Sequence, residues 1–256
     1  MLLAVDIGNT NIVFGLYREA TLAQTFRIET ARSRTADEYG VLLGQMLLQR
    51  GFDARAVSAA IVASVVPPLT DVMVEAIRHA FAREPVVVGP GTKTGIAVKY
   101  EVPRDVGADR IVNAVAAFER YHAGVIVVDF GTATTFDCVS PKAEYLGGVI
   151  VPGVQVSLDG LLARAAKLTR IEVAAPPHVI GRNTTHSLQS GIVHGYAALV
   201  DGLVGKLELE LEFPCQIVGT GGLARLIAPF TDRLTAVDEN LTLDGLRILH
   251  ERNATV

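Results

Sequence analysis

The chain has 256 residues, of which half are apolar, and its formal net charge is −4. A chain without a basic face is not a general nucleic-acid-binding protein, and its longest apolar runs are strand-sized, which excludes a transmembrane helix. The first residues show neither a basic start nor a signal-peptide cleavage site, and the two cysteines have no metal-type spacing. We therefore expect a cytoplasmic protein with reduced thiols.

The first half of the chain alternates predicted strands and helices. Three apolar runs separated by glycine and polar turns predict a β-meander, and Thr35-Ala36-Asp37-Glu38 is a capping box that starts a helix. This alternation indicates an α/β lobe. The predicted elements are strands at 2–6, 11–17 and 22–29, a helix after 35, a strand at 59–66, a helix at 69–82, a strand at 86–88 and a loop at 89–107.

The second half restarts the same design, with a meander first and helices after it. The repeat is weak in sequence identity, but its order of elements predicts two related lobes, residues 1–107 and 108–256. The predicted elements are a helix at 108–121, strands at 124–129, 134–140 and 145–151, helices at 153–168 and 184–209, a strand at 216–218, a helix from 222 and a last helix from 242.

The most informative local signal is the end of the first strand. The apolar run 2–5 breaks at Asp6-Ile7-Gly8-Asn9-Thr10, and apolar residues then resume. Gly8 allows a tight turn and lets a phosphate approach main-chain amides, the polar side chains after it add donors, and Asp6 can hold magnesium. A plain β-hairpin explains the same residues equally well.

A second copy of this pattern follows the strand at 124–129. Asp129 and Gly131 precede a run of hydroxyl side chains that begins at Thr132. A hairpin with threonine chosen for its β propensity is again the alternative. However, an Asp at the end of a buried strand is costly without a cation or a donor. Because both strands end in this way, the pair favours an ATP-dependent phosphotransferase.

A third glycine-rich segment, Gly219-Thr220-Gly221-Gly222, joins a predicted strand to a predicted helix. Such a joint lets a nucleotide lie against bare backbone near a helix N-terminus, although it is also common for packing reasons. The chain lacks G-x-G-x-x-G in a βαβ unit, which disfavours a dinucleotide-binding fold. It also lacks G-x-x-x-x-G-K-[ST], which excludes the P-loop kinases.

The fourth segment, Gly107-Ala108-Asp109-Arg110, opens a predicted helix after the long loop. Phosphorylation of a hydroxyl group needs a carboxylate that orients the hydroxyl and accepts its proton. A cation beside that carboxylate can bind an anionic substrate or the transferring phosphoryl group. Asp109 and Arg110 can supply both, although an Asp at a helix start is also a common N-cap.

Together these segments resemble type III pantothenate kinase. The resemblance spans essentially the whole chain, and its motifs, in order, are 6–10, Gly107-Ala108-Asp109-Arg110, Asp129-Phe130-Gly131-Thr132-Ala133-Thr134, and Gly147-Gly148 with Pro152-Gly153. It implies an α/β fold with two related ribonuclease-H-like lobes around ATP, as in the actin-like ATPase superfamily, each a mixed β-sheet with helices. The implied reaction converts ATP and pantothenate into ADP and 4′-phosphopantothenate, the first step of coenzyme A synthesis.

The resemblance and the motifs also assign residues to roles. Asp109 is expected to be the catalytic base, and Arg110 to pair with the pantothenate carboxylate or the transferring phosphate. The residues expected to bind ATP are Asp6, Ile7, Gly8, Asn9, Thr10, Asn11, Ile12, Val13, Thr132 and Gly221. The residues expected to bind pantothenate are Tyr100, Gly107, Ala108, Asp109, Arg110 and Thr184.

The same resemblance implies cofactors and partners. Magnesium is expected with ATP, with Asp6 as a candidate ligand, and a monovalent cation, potassium or ammonium, is expected at Asp129. A homodimer is expected, in which Thr184 closes on pantothenate from one subunit or the other. Neither a nucleic acid nor a membrane is expected as a partner.

Two other interpretations stay open at this point. Another small-molecule kinase of the same superfamily would act on a sugar, an acid or polyphosphate, but the 107–110 segment and the short chain speak against it. A non-catalytic nucleotide-binding regulatory protein, such as an accessory factor for transcription, would keep the glycine turns without needing Asp109. The presence of Asp109 and the acidic charge favour the enzyme.

Overall fold

The computed structural model of the protein describes residues 1–254, in which strands and helices form two similar groups. The first group consists of β1 (Leu2–Ile7), β2 (Asn11–Arg18), β3 (Thr21–Glu29), α1 (Ala36–Gln49), β4 (Ala59–Ser64), α2 (Pro67–Phe81) and β5 (Val86–Val87). After it come β6 (Ala97–Val98), α3 (Ala108–Tyr121), β7 (Gly124–Phe130), β8 (Ala133–Val139), β9 (Glu144–Pro152), α4 (Val154–Arg164), α5 (Thr184–Leu211), β10 (Cys215–Thr220), α6 (Ala224–Ile227), β11 (Ala236–Val237) and α7 (Leu241–Asn253).

Two mixed sheets share one strand order. The first is β3-β2-β1-β4-β5, in which β1 is antiparallel to β2 and parallel to β4. The second is β11-β10-β7-β8-β9-β6, in which β7 is antiparallel to β8 and parallel to β10. The pairing of β1 to β5 is therefore repeated by β7 to β11, with β6 added at one edge. This repeat confirms the predicted fold class of two related α/β lobes, each a mixed β-sheet with helices.

The chain divides into two compact units that are not continuous in sequence. The first comprises Met1–Ile96, Glu101–Ala116 and the chain from Leu241, and the second comprises Ala97–Tyr100 and Ala117–Asn240. The predicted single boundary after residue 107 does not coincide with this division. Residues 97–100 belong to the second unit, while residues 101–116 and the last helix belong to the first. There α7 buries Leu243, Leu246 and Leu249, and it packs on the first sheet.

The helices cover the sheets with regularly spaced apolar faces. In the first unit α1 buries Tyr39, Leu43 and Leu47, which recur every four residues on one side of the helix. The predicted capping box at its start is confirmed, since Glu38 N donates to Thr35 Oγ1 at 3.3 Å and Thr35 N donates to Glu38 Oε2 at 2.7 Å. In the second unit α5 turns the same kind of face to the core, at Val193, Ala197, Val200 and Val204.

Two sequence-based expectations differ from the structure. The stretch 89–107 was expected to be a loop, but it contains β6, which pairs in parallel with β9 through Val98 and Tyr145. The helix expected from Gly222 is only the one-turn α6. Within residues 1–254, no helix combines the length and the apolar character that a membrane span requires.

Candidate active site

The turn between β1 and β2 is tight and leaves little room for a side chain at its start. Gly8 N donates to Asn11 O at 3.0 Å, and a Cβ atom at position 8 would lie 3.0 Å from that same oxygen. Thr30 fixes the turn from β3, because its Oγ1 donates to Gly8 O at 2.7 Å and its N donates to Thr10 O at 3.0 Å. The predicted tight turn at Gly8 is confirmed.

The residues of this turn differ in what they can offer a ligand. Ile7 and Ile12 are fully buried in the core of the first unit, so they can present only main-chain atoms to a nucleotide. Asn9 and Thr10 are exposed. The half-buried positions are Asp6, Gly8, Asn11 and Val13. The polar groups available to a phosphate or a cation therefore lie at the turn itself, at the carboxyl end of the central strand β1.

Asp109 lies in the first turn of α3 and is not its N-cap. An N-cap side chain accepts from an amide two or three positions further on, whereas Asp109 Oδ1 accepts from the adjacent Arg110 N at 2.8 Å. A Cβ atom at position 107 would lie 2.5 Å from this Oδ1. Glycine at 107 therefore leaves the space into which the carboxylate folds back over the helix start.

The Asp109 segment and the Asp6 turn lie at the same edge of the first sheet. A Cβ atom at position 107 would be 3.5 Å from Val65 Cγ1, and Val65 N donates to Ile7 O at 3.0 Å. Gly107 is therefore next to the carboxyl ends of β1 and β4. Ligands of open α/β sheets bind at this end of the strands, so both motifs lie where a ligand of this sheet would bind.

Burial sets the protonation behaviour of Asp109. Desolvation raises the pKa of its carboxyl group above the ordinary aspartate value, and this outweighs the hydrogen bond from Arg110 N and the Arg110 charge, which both lower it. The Arg110 side chain is itself buried. A carboxylate whose pKa is raised accepts a proton more readily than an ordinary aspartate does.

In the second unit Asp129 lies against the glycine turn that follows β10. Asp129 is paired with Thr220 across β7 and β10, and the next residue, Gly221, has a φ of +86°. A Cβ atom at position 221 would be 2.5 Å from Asp129 Oδ1 and 2.8 Å from Phe130 N. Only glycine tolerates both this φ and this contact. The predicted sites at Asp129 and Gly221 are thus brought together.

Thr132 lies in an exposed turn beside the start of α4. Gly131 N donates to Ala133 O at 3.0 Å, and Gly153 N, immediately before the helix, donates to Thr132 O at 3.1 Å. A Cβ atom at position 153 would overlap the carbonyl oxygens of Gly131 and Thr132. The turn therefore rests on the partly positive N-terminus of an 11-residue helix, which is a favourable place for an anion.

Tyr100 follows the edge strand β6 and packs on two residues of β9. Its ring centroid is 6.3 Å from that of Tyr145, and a Cβ atom at position 147 would be 3.4 Å from Tyr100 Cε2. Tyr145 Oη in turn donates to the buried carboxylate of Asp137 at 2.8 Å. Neither Tyr145 nor Asp137 is among the site residues predicted from the sequence. The sequence signal that could have identified Asp137 is an acidic residue within the apolar run Phe136–Val139 of a strand.

Thr184, the remaining substrate candidate, is the first residue of α5 and is exposed. The preceding Asn183 caps this helix, because its Oδ1 accepts from His186 N at 2.8 Å. Gly181 packs closely against the main chain of His186 and Ser187, which folds the incoming loop onto the helix start. Thr184 is thus held at a defined helix N-terminus with its side chain accessible.

The residues present fit the cations that the sequence motifs suggest. Within residues 1–254 no three His, Cys, Asp or Glu side chains come together as a ligand set. Magnesium in phosphotransferases is held by substrate phosphates with only one or two carboxylates, which a single Asp6 can supply. At Asp129 a carboxylate lies over bare glycine backbone, and carboxylate and carbonyl oxygens suit hard cations.

Solved structures with a similar fold include a sugar kinase. The chain resembles a ROK family glucokinase from Streptomyces griseus, solved in complex with glucose and AMPPNP, with a TM-score of 0.51 and 13% sequence identity. The match covers 97% of this chain and 98% of that one. At this identity the likeness concerns the fold alone, and it agrees with the repeated mixed sheets described above.

Comparison with known sequences identifies the family of the chain. The family model described as type III pantothenate kinase matches residues 2–206. A type III pantothenate kinase of Anaeromyxobacter sp. (strain Fw109-5) is 57% identical over 253 residues, which are 99% of this chain and 100% of that protein. Another, of Myxococcus xanthus (strain DK1622), is 54% identical and covers 99% of both chains. The chain therefore belongs to the type III pantothenate kinase family.

Proposed function

We propose that Asp109 is the general base with which this enzyme phosphorylates pantothenate. The protein is a type III pantothenate kinase, which transfers the γ-phosphoryl group of ATP to pantothenate in the first step of coenzyme A biosynthesis. The observation that carries the proposal is the Asp109 carboxylate, which is fixed by Arg110 N and has its pKa raised by burial. It lies at the sheet edge where the Asp6 turn also lies.

The chemistry asked of Asp109 is limited. Its carboxylate orients the pantothenate hydroxyl and accepts the proton of that hydroxyl as the new O–P bond forms. The bond between the γ-phosphorus and the β–γ bridging oxygen breaks at the same centre, and ADP leaves. Because phosphoryl transfer depends mainly on positioning and charge stabilisation, the rest of the site serves to hold the two substrates.

The nucleotide is held, in this proposal, by the glycine turns. The main chain of Asp6 to Val13, the exposed Asn9 and Thr10, and the turn at Thr132 supply donors to phosphates, and Gly221 leaves bare backbone beside Asp129. Ile7 and Ile12 contribute through main-chain atoms alone, since their side chains are in the core. Support comes from the turn at Gly8, where a Cβ atom would be crowded, and from the turn at Gly221, where it would overlap the Asp129 carboxylate.

Two cations complete the proposed site. Magnesium bound to the ATP phosphates would be held by Asp6, and a monovalent cation, potassium or ammonium, would be held by Asp129. Both cations supply positive charge that offsets the charge of the phosphates. The chain has no P-loop lysine to provide that charge. Asp6 and Asp129 are each the next-to-last residue of a central strand, β1 and β7, and these matching positions support the same role for both carboxylates.

Pantothenate is held, in the same proposal, by main-chain groups and by side chains. Gly107 and Ala108 present main chain at the start of α3, Arg110 offers a positive charge to the pantothenate carboxylate or the transferring phosphate, and Tyr100 offers a half-exposed ring. Thr184 would close on the substrate from this subunit or its partner. The loop before it exposes Val179 and Ile180, which supports a homodimer.

We place the enzyme in the cytoplasm, in keeping with Cys138 and Cys215 as thiols.

ADP release tests this proposal directly. With saturating ATP and magnesium, release should require pantothenate and should fall sharply when potassium is replaced by an equal concentration of a bulky organic cation. Ammonium should restore it. ADP release that proceeds without pantothenate would contradict the substrate assignment, and full turnover without potassium or ammonium would contradict the role of Asp129.

A further inference from the structure

Asp137 is a fully buried carboxylate in the middle of β8. Its neighbours in sequence, Phe136 and Cys138, belong to the apolar core of the second unit. A buried carboxylate is costly unless hydrogen-bond donors compensate it. Two donors do so here, because Tyr145 Oη donates to Oδ1 at 2.8 Å and Thr135 Oγ1 donates to Oδ2 at 3.0 Å. The reaction proposed above uses neither Asp137 nor Tyr145.

Tyr145 connects this buried acid to Tyr100. The side chain of Tyr145 is fully buried, and the ring of Tyr100, which is 38% exposed, lies against it with the planes tilted by 52°. The main chain makes a second link, because Lys99 N donates to Tyr145 O at 2.8 Å and Val98 pairs with Tyr145. The position of Tyr145 therefore helps to set the position of the Tyr100 ring.

An irregularity in β9 makes room for this arrangement. The pairing of β8 with β9 shifts register between Cys138 and Val139, and Gly147 in the facing strand has a φ of +110°. A Cβ atom at position 147 would lie 3.4 Å from Tyr100 Cε2 and 3.5 Å from its Cδ2. The bulge and the glycine thus let the Tyr100 ring rest on the strand. Bulges often redirect a side chain next to an active site.

We propose that Asp137 and Tyr145 are positioning residues for the pantothenate site. The carboxylate of Asp137 holds the hydroxyl of Tyr145, so that the Tyr145 ring cannot tilt, and that ring holds Tyr100 in one orientation toward the substrate. Holding a recognition side chain in advance lowers the ordering cost of binding. This inference rests on the proposed role of Tyr100 in binding pantothenate, and neither positioning residue is asked to touch the substrate.

Tyr145→Phe tests the inference, because it removes the hydroxyl and keeps the ring. We expect the KM for pantothenate to rise by up to about tenfold, the size of the cost of ordering one side chain on binding, with kcat and the KM for ATP within about twofold of the parent. Tyr17→Phe is the matched control. Tyr17 is also fully buried and donates to a carboxylate, Asp244 Oδ1, at 2.7 Å, but it lies in the first unit. Tyr17→Phe should lower the Tm by about as much as Tyr145→Phe does and leave the KM for pantothenate unchanged.

A double-mutant cycle shows whether Tyr145 acts through Tyr100. Tyr100→Ala alone should raise the KM for pantothenate, and Tyr145→Phe should add nothing to it in that background. If Tyr100→Ala raises KM but Tyr145→Phe leaves it unchanged, or raises it equally in both backgrounds, the inference is overturned while the role of Tyr100 stands. If Tyr100→Ala has no effect, both are overturned. Should Tyr145→Phe fail to fold, Thr135→Val replaces it, with an expected rise of about threefold in the same KM.

Discussion

Asp109→Asn is expected to lower kcat for pantothenate phosphorylation by a factor of about 10² to 10⁴, the usual contribution of a general base. The asparagine has the same shape and can still accept the hydrogen bond from Arg110 N, so the helix start should keep its geometry. What it loses is the ability to take the hydroxyl proton. The KM for ATP should stay within about twofold of the parent value, because Asp109 is not among the residues proposed to hold the nucleotide.

Asp71→Asn is the control for this substitution. Asp71 is an exposed carboxylate on α2, and the change removes one negative charge without touching the proposed site. Steady-state kinetics of both variants should show a large kcat loss for position 109 and parent turnover for position 71. Turnover of Asp109→Asn near the parent level would contradict its assignment as the base.

Asp109→Asn, which lowers kcat, is expected to raise the stability of the fold at neutral pH. The folded pKa of Asp109 is raised above its unfolded value, so the folded protein binds this proton more tightly than the unfolded chain does. The ionised carboxyl group therefore begins to penalise the fold as pH rises above about 4, the unfolded value, and the penalty is complete above the folded pKa. Asp109→Asn should match the parent Tm near pH 4 and equal or exceed it at pH 7. A variant Tm that falls below the parent only at pH 7 would contradict this sign.

Gly221→Ala is the second substitution with a large expected effect. The new Cβ would lie 2.5 Å from Asp129 Oδ1 and 2.8 Å from Phe130 N, and the φ of +86° would also be strained for alanine. The Asp129 carboxylate must therefore move. A displacement of about 1 Å at a catalytic site can cost about a hundredfold in rate, and we expect a loss of that size in kcat. The potassium concentration that gives half-maximal turnover should rise with it.

Gly51→Ala separates the effect of contact from that of strain. Gly51 has a φ of +79°, but a Cβ atom there would meet nothing within 4 Å. Its replacement should lower the free energy of unfolding by about 1 kcal/mol, from backbone strain alone, and leave turnover and the potassium response unchanged. Equal kinetic losses in the two variants would show that the contact with Asp129 is not what matters.

Elements defined by local sequence signals were predicted well. The helix expected at 108–121 is α3 (Ala108–Tyr121), and the one expected at 184–209 is α5 (Thr184–Leu211), because apolar spacing and polar starts mark both. β6 was missed, since two residues become a strand only through pairing with β9. The leucines of α7 predicted a buried face, but not that this face would pack on the first sheet, which depends on contacts distant in sequence.

In the candidate site, too, residues marked by neighbouring sequence were predicted, and residues that depend on contacts distant in sequence were not. Gly8 and Gly107 were identified as glycines two residues from an acid, and Gly221 as part of a Gly-x-Gly-Gly joint between a strand and a helix. The structure gives each a tight neighbour. Ile7 and Ile12 were included through the family resemblance over residues 6–13, and their side chains are in the core. Asp137 and Tyr145 were missed, because their link depends on a bulge and on the pairing of β8 with β9.

The role of Asp109 as the proton acceptor is tested by the rate of 4′-phosphopantothenate formation in a single turnover, measured by rapid quench at saturating ATP and potassium across a range of pH. For the parent enzyme we expect a rate that rises about tenfold per pH unit and levels off at a pKa above the ordinary aspartate value of about 3.9. For Asp109→Asn we expect a slow rate without that pH dependence. A variant that keeps the same acid limb, or that transfers the phosphoryl group as fast as the parent, would contradict Asp109 as the proton acceptor.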